Sequence, residues 1–134
     1  MQTVHRGRVL VAENDADTRA LIAELLVGEG REVVEVASGE ELLQVLAERS
    51  ASTWPREAFD VIVTEQRMPR GSGLDMIERL RRDGCATPAL LITAFVDDHI
   101  RDRADDLETM VMVKPFPLPA FLTAVSVLLS LHPT

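Results

Sequence analysis

Four groups able to do chemistry each stand at the end of a short hydrophobic run, and one of them holds the only lysine of the chain. Glu13-Asn14-Asp15 follows Arg8-Val-Leu-Val-Ala12, and Glu65 follows Asp60-Val-Ile-Val-Thr64. Thr93 closes Ala89-Leu-Leu-Ile92, and Lys114-Pro115-Phe116 closes Met110-Val-Met-Val113. If these runs are parallel strands of one sheet, their carboxyl ends share an edge, where carboxylates, a hydroxyl and one ammonium converge. Such a pocket repels anionic cofactors. The turn at Glu13-Asn14-Asp15 also lacks the Ser/Thr/Gly-rich character of a phosphate-binding loop. A small cofactor binder or enzyme on this fold is therefore only a third alternative, and no catalytic turnover is expected.

The elements that must position these groups alternate along the chain. Runs rich in Val, Ile and Leu at about 8–12, 32–36, 60–64, 89–93 and 110–113 read as buried strands. Between them, helical spacing appears at Leu21, Ile22, Leu25 and Leu26, then at Leu42, Leu43, Val45 and Leu46. It returns at Leu74, Ile77 and Leu80, more weakly at Ile100, Ala104 and Leu107, and strongly from Leu118 through Phe121, Leu122, Val125, Leu128 and Leu129. Asp15 is placed to cap the first helix, and Ser38-Gly-Glu-Glu41 has capping-box spacing before the second. The order βαβαβαβαβα predicts an α/β fold, a doubly wound parallel sheet with helices on both faces. Glu32 and Glu35 among valines mark the second run as an edge strand. That suits a flavodoxin-like (βα)5 sheet of strand order 2-1-3-4-5, with strands one and three adjacent at the switch point. Residues 47–59 read as a long surface connection, which Trp54 could pin down.

Composition narrows the function. The 134 residues read as one domain, 1–134, with its core at about 7–131. A net charge of -8 argues against direct nucleic-acid binding, which draws on phosphate neutralisation. Arg79, Arg81 and Arg82 cluster only where cations suit a helix carboxyl end. No run is long enough for a membrane span, and Glu13 interrupts the first apolar run too early for a signal peptide. The single Cys85 excludes an internal disulfide and fits a reducing, cytoplasmic setting. Cys85 has no histidine nearby, and His5, His99 and His132 have no ligand spacing, so none of these is read as a site. Phe95 is read as a rim or packing residue. The acidic run Asp97, Asp98, Asp102, Asp105, Asp106 and Glu108 is read as a solvated face, with a basic partner there as the sharper alternative.

With those motifs in order, the chain resembles a receiver domain of the bacterial two-component response regulator family, over residues 7–131. The resemblance rests on Val-Leu-Val-Ala-Glu13-Asn14-Asp15, Asp60-Val-Ile-Val-Thr-Glu65-Gln-Arg-Met-Pro69, Leu-Ile-Thr93-Ala94 and Val-Lys114-Pro115-Phe116. It implies a site in which acids after strand one, an acid after strand three and a backbone carbonyl, here that of Arg67, hold Mg²⁺. The strand-three aspartate of typical members takes a phosphoryl group from a histidine kinase, and the metal offsets charge on the transferring group. Thr93 would then face that group, and Lys114 would supply an ammonium, aimed inward by a cis bond to Pro115.

This chain departs from the pattern at three places. Glu65 stands at the acceptor position, Asn14 replaces the second acid, and Val111 replaces the aromatic that reports the switch state. The metal set Glu13, Asn14, Glu65 and the Arg67 carbonyl thus keeps two carboxylates, and any Mg²⁺ site is weakened. Three meanings of Glu65 stay open: a fixed interaction module, a permanent partial mimic of the phosphorylated state, or a residual acceptor. Its carboxylate is expected to pair with Lys114 or to hydrogen-bond Thr93, and the Arg67 guanidinium either covers the pocket or is solvated. The leading expectation is a phosphorylation-independent, stand-alone pseudo-receiver. With nothing after residue 131 to carry an output, it would act on signalling proteins, a histidine kinase or an effector, through the fourth and fifth helices and last strand. A working phosphorelay receiver using Mg²⁺ is the alternative, and homodimerisation through the same helices stays open.

Overall fold

In the computed structural model, which describes residues 7–50 and 59–131, the five apolar runs pair as one parallel sheet. The strands are β1 (Arg8–Ala12), β2 (Glu32–Val36), β3 (Val61–Glu65), β4 (Ala89–Thr93) and β5 (Thr109–Val113). They alternate with α1 (Ala16–Gly28), α2 (Gly39–Ser50), α3 (Gly73–Arg82), α4 (Asp98–Asp106) and α5 (Leu118–Leu131). The strand order is β2-β1-β3-β4-β5, the flavodoxin-like order expected, with β2 at the edge and both its glutamates exposed.

Side-chain alternation along each strand divides the core between the two faces. Leu10, Ala12 and Ile62 point toward α2 and α3, where they meet Leu42, Leu46, Ile77 and Leu80. Val9, Val11, Val63, Leu90 and Ile92 point the other way, toward Ile22, Leu26, Phe121, Val125 and Leu128 of α1 and α5. A smaller group, Leu74, Leu91 and Ala104, seats α4, and Ile100, Leu107 and Val111 pack against it. Full burial of each Leu, Ile, Val or Phe contributes about 1.5–3 kcal/mol, so this two-sided core dominates the folding drive.

Several expected boundaries shift. The third strand begins at Val61, because Asp60 uses its side chain to accept from the Arg8 amide at 2.8 Å. Glu65 is therefore the last residue of β3. The last strand begins one residue earlier than expected, at Thr109. The second helix runs to Ser50, so the connection expected from residue 47 starts later. Trp54, His5 and His132 lie outside the described residues. Two residues assigned to apolar helix faces are exposed: Leu21, at 46%, cedes its place to Ala23, and Leu118 is open at 40%.

Local signals set the helix starts. Asp15 caps α1 by accepting from the Thr18 amide, and Ser38 accepts from the Glu41 amide at 3.1 Å. Glu41 reaches back only to the Ala37 amide, at 3.4 Å. Helix α3 has a full capping box between Ser72 and Asp75, and Asp97 caps α4. Arg103 ties α4 to α3 through Asp75 at 2.6 Å and Glu78 at 3.2 Å.

At the opposite end of the sheet from these caps, Arg81 reaches three backbone carbonyls. Nε donates to Leu107 O at 2.9 Å, and Nη1 to Cys85 O at 3.0 Å and Thr87 O at 2.8 Å. One cation thereby satisfies the turn before β4 and the turn before β5. Arg81→Met is expected to destabilise the fold by roughly 3 kcal/mol, because part-buried carbonyls lose a charged donor. Arg81→Lys recovers little, since a single ammonium cannot reproduce the guanidinium fork. Urea unfolding measures both; a loss below about 1 kcal/mol in Arg81→Met would mean water takes over the carbonyls.

Candidate functional site

The carboxyl edge of the sheet brings together residues separated by a hundred positions. The Glu13 amide extends β1 by donating to Val36 O at 3.1 Å, which drives its side chain under the loops, fully buried. Its backbone carbonyl accepts from Arg19 Nη1 at 2.7 Å. Glu65 ends β3, with its side chain 12% exposed. The Lys114 amide donates to Thr93 O at 2.8 Å, and its bond to Pro115 is cis, as the resemblance implied.

Lys114 joins the two acids. Its Nζ donates to Glu13 Oε1 and to Glu65 Oε1, each at 2.9 Å. Burial pushes the Glu65 carboxyl up to about 7, and the hydrogen-bonded, negatively charged Glu13 adds to this while Lys114 opposes it. Burial would raise Glu13 too, but bonds from Glu65, the Asp15 amide and Lys114 hold it below the ordinary carboxylate value. Burial would lower Lys114, yet its two carboxylate partners hold the ammonium above its usual value. One ammonium thus serves two carboxyl groups, and the pair resists both being ionised at once.

Of the partners expected for Glu65, the structure selects Lys114. The Thr93 hydroxyl instead donates to Phe95 O at 3.0 Å and accepts from the Phe95 amide at 3.3 Å. Thr93 still lines an open cleft of about 500 Å³ beside the acids, with Asn14, Arg67, Met68, Phe95 and Ile100. Phe95 is a rim residue, 57% exposed. Arg67 is exposed, and what it brings to the site is its backbone carbonyl. Asp15 does not enter the pocket: its carboxylate caps α1 and bonds the Thr18 hydroxyl at 2.6 Å. Cys85 is buried against Thr87, which bars a nucleophilic role.

Two supports were not anticipated. Gln66 Oε1 accepts from the Leu74 amide at 2.9 Å, fixing the start of α3 against the end of β3. Gly73 is required there, because a Cβ would collide with the Glu65 carbonyl. The Ser-x-x-Asp spacing at 72–75 signals this helix start, whereas the close approach at Gly73 has no local signature.

The oxygens expected to hold a divalent cation are already engaged. Glu13 Oε2 accepts from the Asp15 amide at 3.1 Å. The Asn14 side-chain amide lies against Glu13 Oε2 and the Arg67 carbonyl; with its nitrogen turned toward them it would donate to both, at 3.2 and 3.3 Å. With its oxygen turned toward them instead, three oxygens converge there, an arrangement that suits a cation. With two carboxyl groups sharing a lysine, and an amide in place of a third carboxylate, the donor set would hold Mg²⁺ weakly. Among the described residues, no group of three or more His, Cys, Asp or Glu side chains could hold a metal.

The response regulator receiver domain family matches residues 9–126, a span that includes this edge. The chain belongs to that family. The transcriptional regulatory protein PdtaR of Mycobacterium tuberculosis is 33% identical over 125 residues, covering 92% of this chain and 57% of the relative. The response regulator protein PmrA of Pseudomonas aeruginosa is 37% identical over 114 residues, covering 83% and 47%. The chain thus spans about half the length of these relatives. Among solved structures, the non-phosphorylated HemR receiver domain of Leptospira biflexa superposes with a TM-score of 0.82 at 26% identity, covering 96% of this chain and 98% of that one. The chemotaxis response regulator CheY4 of Vibrio cholerae shares the fold, with a TM-score of 0.77 at 24% identity over 91% and 98% of the two chains. Receiver domains are signalling domains of two-component systems, and they generally bind Mg²⁺ at the phosphorylation site.

The raised Glu65 carboxyl gives the receiver a pH signature. Between its ordinary 4.5 and about 7, the folded state holds a proton that the unfolded state has released. The stability from this group is therefore full below pH 4.5 and is lost as pH rises through about 7. Glu65→Gln removes that slope. Urea unfolding near pH 5 and pH 7.5 should show the variant gaining on wild type by on the order of 3 kcal/mol. A pH-independent difference would mean that Glu65 ionises normally.

Proposed function

We propose that this receiver signals without phosphorylation, as an interaction module whose state is fixed by its own side chains. The observation that carries this reading is the Glu65–Lys114 bond at 2.9 Å. An aspartate acceptor must offer a carboxylate oxygen in line with an incoming phosphorus atom, with cationic charge left to receive the phosphoryl oxygens. Here the longer glutamate reaches into that space, and the lysine is committed to two carboxylates. Asn14 in place of the second acid weakens Mg²⁺ binding as well, so the charge on a transferring phosphoryl group is poorly offset.

The Thr93 bond to Phe95 favours a fixed module over a full mimic of the phosphorylated state. A side chain imitating bound phosphate would draw the threonine hydroxyl to its own charge, and this hydroxyl stays with the backbone. Val111, where an aromatic reporter usually stands, packs inward against Leu74, Leu91 and Ala104, which leaves no large side chain to swing. Output then passes through protein contacts on the face formed by α4, β5 and α5, to a histidine kinase or an effector, in the cytoplasm. The exposed acids of α4 suit a basic partner surface there.

Intact mass after incubation with acetyl phosphate and Mg²⁺ tests the reading. Wild type is expected to remain unmodified, whereas the double substitution Glu65→Asp with Asn14→Asp gains one phosphoryl group at position 65. An adduct mapped to Glu65 in wild type would establish a working phosphorelay receiver instead.

A further inference from the structure

The two edges of the sheet are unlike. β2 carries two exposed glutamates, which discourage a further strand from pairing there. β5 is the other edge, with β4 as its only neighbour, and its sequence Thr-Met-Val-Met-Val holds no charge, glycine or proline. The Lys114 amide donates to Thr93 O at 2.8 Å, which fixes the phase of the ladder. Met110 and Met112 therefore turn their amides and carbonyls to β4, and Val111 and Val113 turn theirs to the open side. Among the described residues those outward amides have no hydrogen-bond partner.

Two different banks flank this edge. Val111 packs on the α4 side of the sheet with Ala104, and Met110 and Met112 pack on the α5 side with Phe121 and Val125. In α4, Arg103 faces α3, so helical spacing sets Asp98, Arg101 and Asp105 on the flank toward the open edge, with Glu108 following. Three acids there outweigh one cation. In α5, Ser126 turns toward the end of α1, where it accepts from Arg31 Nη2 at 3.4 Å. Ala120, Val127 and Leu131 thus take the opposite flank, beside β5, and the whole helix is uncharged. Val127 and Leu131 are 46% and 64% exposed. The banks meet at the amino end of β5 in a cleft of about 500 Å³ bordered by Asp106, Glu108, Leu128 and Leu131.

A strand added to β5 would send alternate side chains to the two banks. We propose that this edge takes an extended segment of a partner protein as a sixth strand, with basic side chains toward α4 alternating with apolar ones toward α5. A second copy of the chain fits poorly. Pairing β5 with β5 about a two-fold axis would set α4 beside α4, acids against acids, on a chain of net charge -8. The inference rests on the reading of the α4, β5 and α5 face as the output surface, and it specifies the form of the partner there.

The probe is a labelled peptide of about seven residues that alternates lysine and valine, compared with one holding the same residues in two blocks. The alternating peptide is expected to slow amide hydrogen exchange at Val111 and Val113, and the block peptide to bind roughly tenfold more weakly. Reversing charge with Asp98→Lys and Asp105→Lys is expected to weaken binding by roughly tenfold or more. N-methylation of the peptide backbone, which leaves the receiver unaltered, should abolish it. No binding at about 1 mM peptide, equal affinity for both peptides, or slowed exchange only outside β5 would overturn the inference. Slow exchange at Val111 and Val113 in the chain alone, with a dimer in sedimentation, would overturn it in favour of a second copy. Phosphorylation of Glu65 with β5 binding intact refutes only the reading of function, and an unmodified Glu65 without β5 binding refutes this inference alone.

Discussion

The structure turns on a buried carboxylate that requires a cation. Glu13 is completely covered, just after the interior strand β1, and an isolated charge there would be prohibitively costly. Lys114 meets that need from β5, the far edge of the sheet, and takes Glu65 as a second partner. The ends of β1, β3 and β5 are thereby held at one point. Each of the three strands is set by its hydrophobic register, and the ion pair sets how their loops meet.

A buried ion pair is weak evidence for stability in itself, since desolvation offsets much of the attraction. Its consequence here is specificity of state. An ammonium shared by two carboxylates has little left to offer a third anion, and a carboxyl with its titration near neutrality is a poor nucleophile whenever it is protonated. The same pairing that makes Glu13 tolerable in the core thus ties the Glu65 carboxyl and the Lys114 ammonium to each other.

Around this point the fold is conventional for its family, and the departures are confined to side chains. Gly73 and Gln66 still bring α3 against the end of β3, the Lys114–Pro115 bond is still cis, and Thr93 still borders the cleft. The Arg81 clamp fixes the turns before β4 and β5, and the Arg103 bridge joins α4 to α3.

Much of this was legible in the chain itself. Apolar runs separated by helical periodicity determined the α/β order, and the glutamates of the second run marked the edge strand. The caps at Asp15 and Ser38 follow from rules that act over three or four residues. The four polar groups at strand ends identified the site because parallel strands must deliver their carboxyl ends to one edge. Local sequence did not determine which of those groups would touch. Lys114 pairing with both acids and Arg81 reaching the Leu107 carbonyl join segments far apart in the chain, and Thr93 turns to the neighbouring Phe95 backbone although the acids stand nearby. They depend on sheet register, on how deeply each carboxylate is desolvated and on which donors lie within about 3 Å, and only the assembled fold sets those distances.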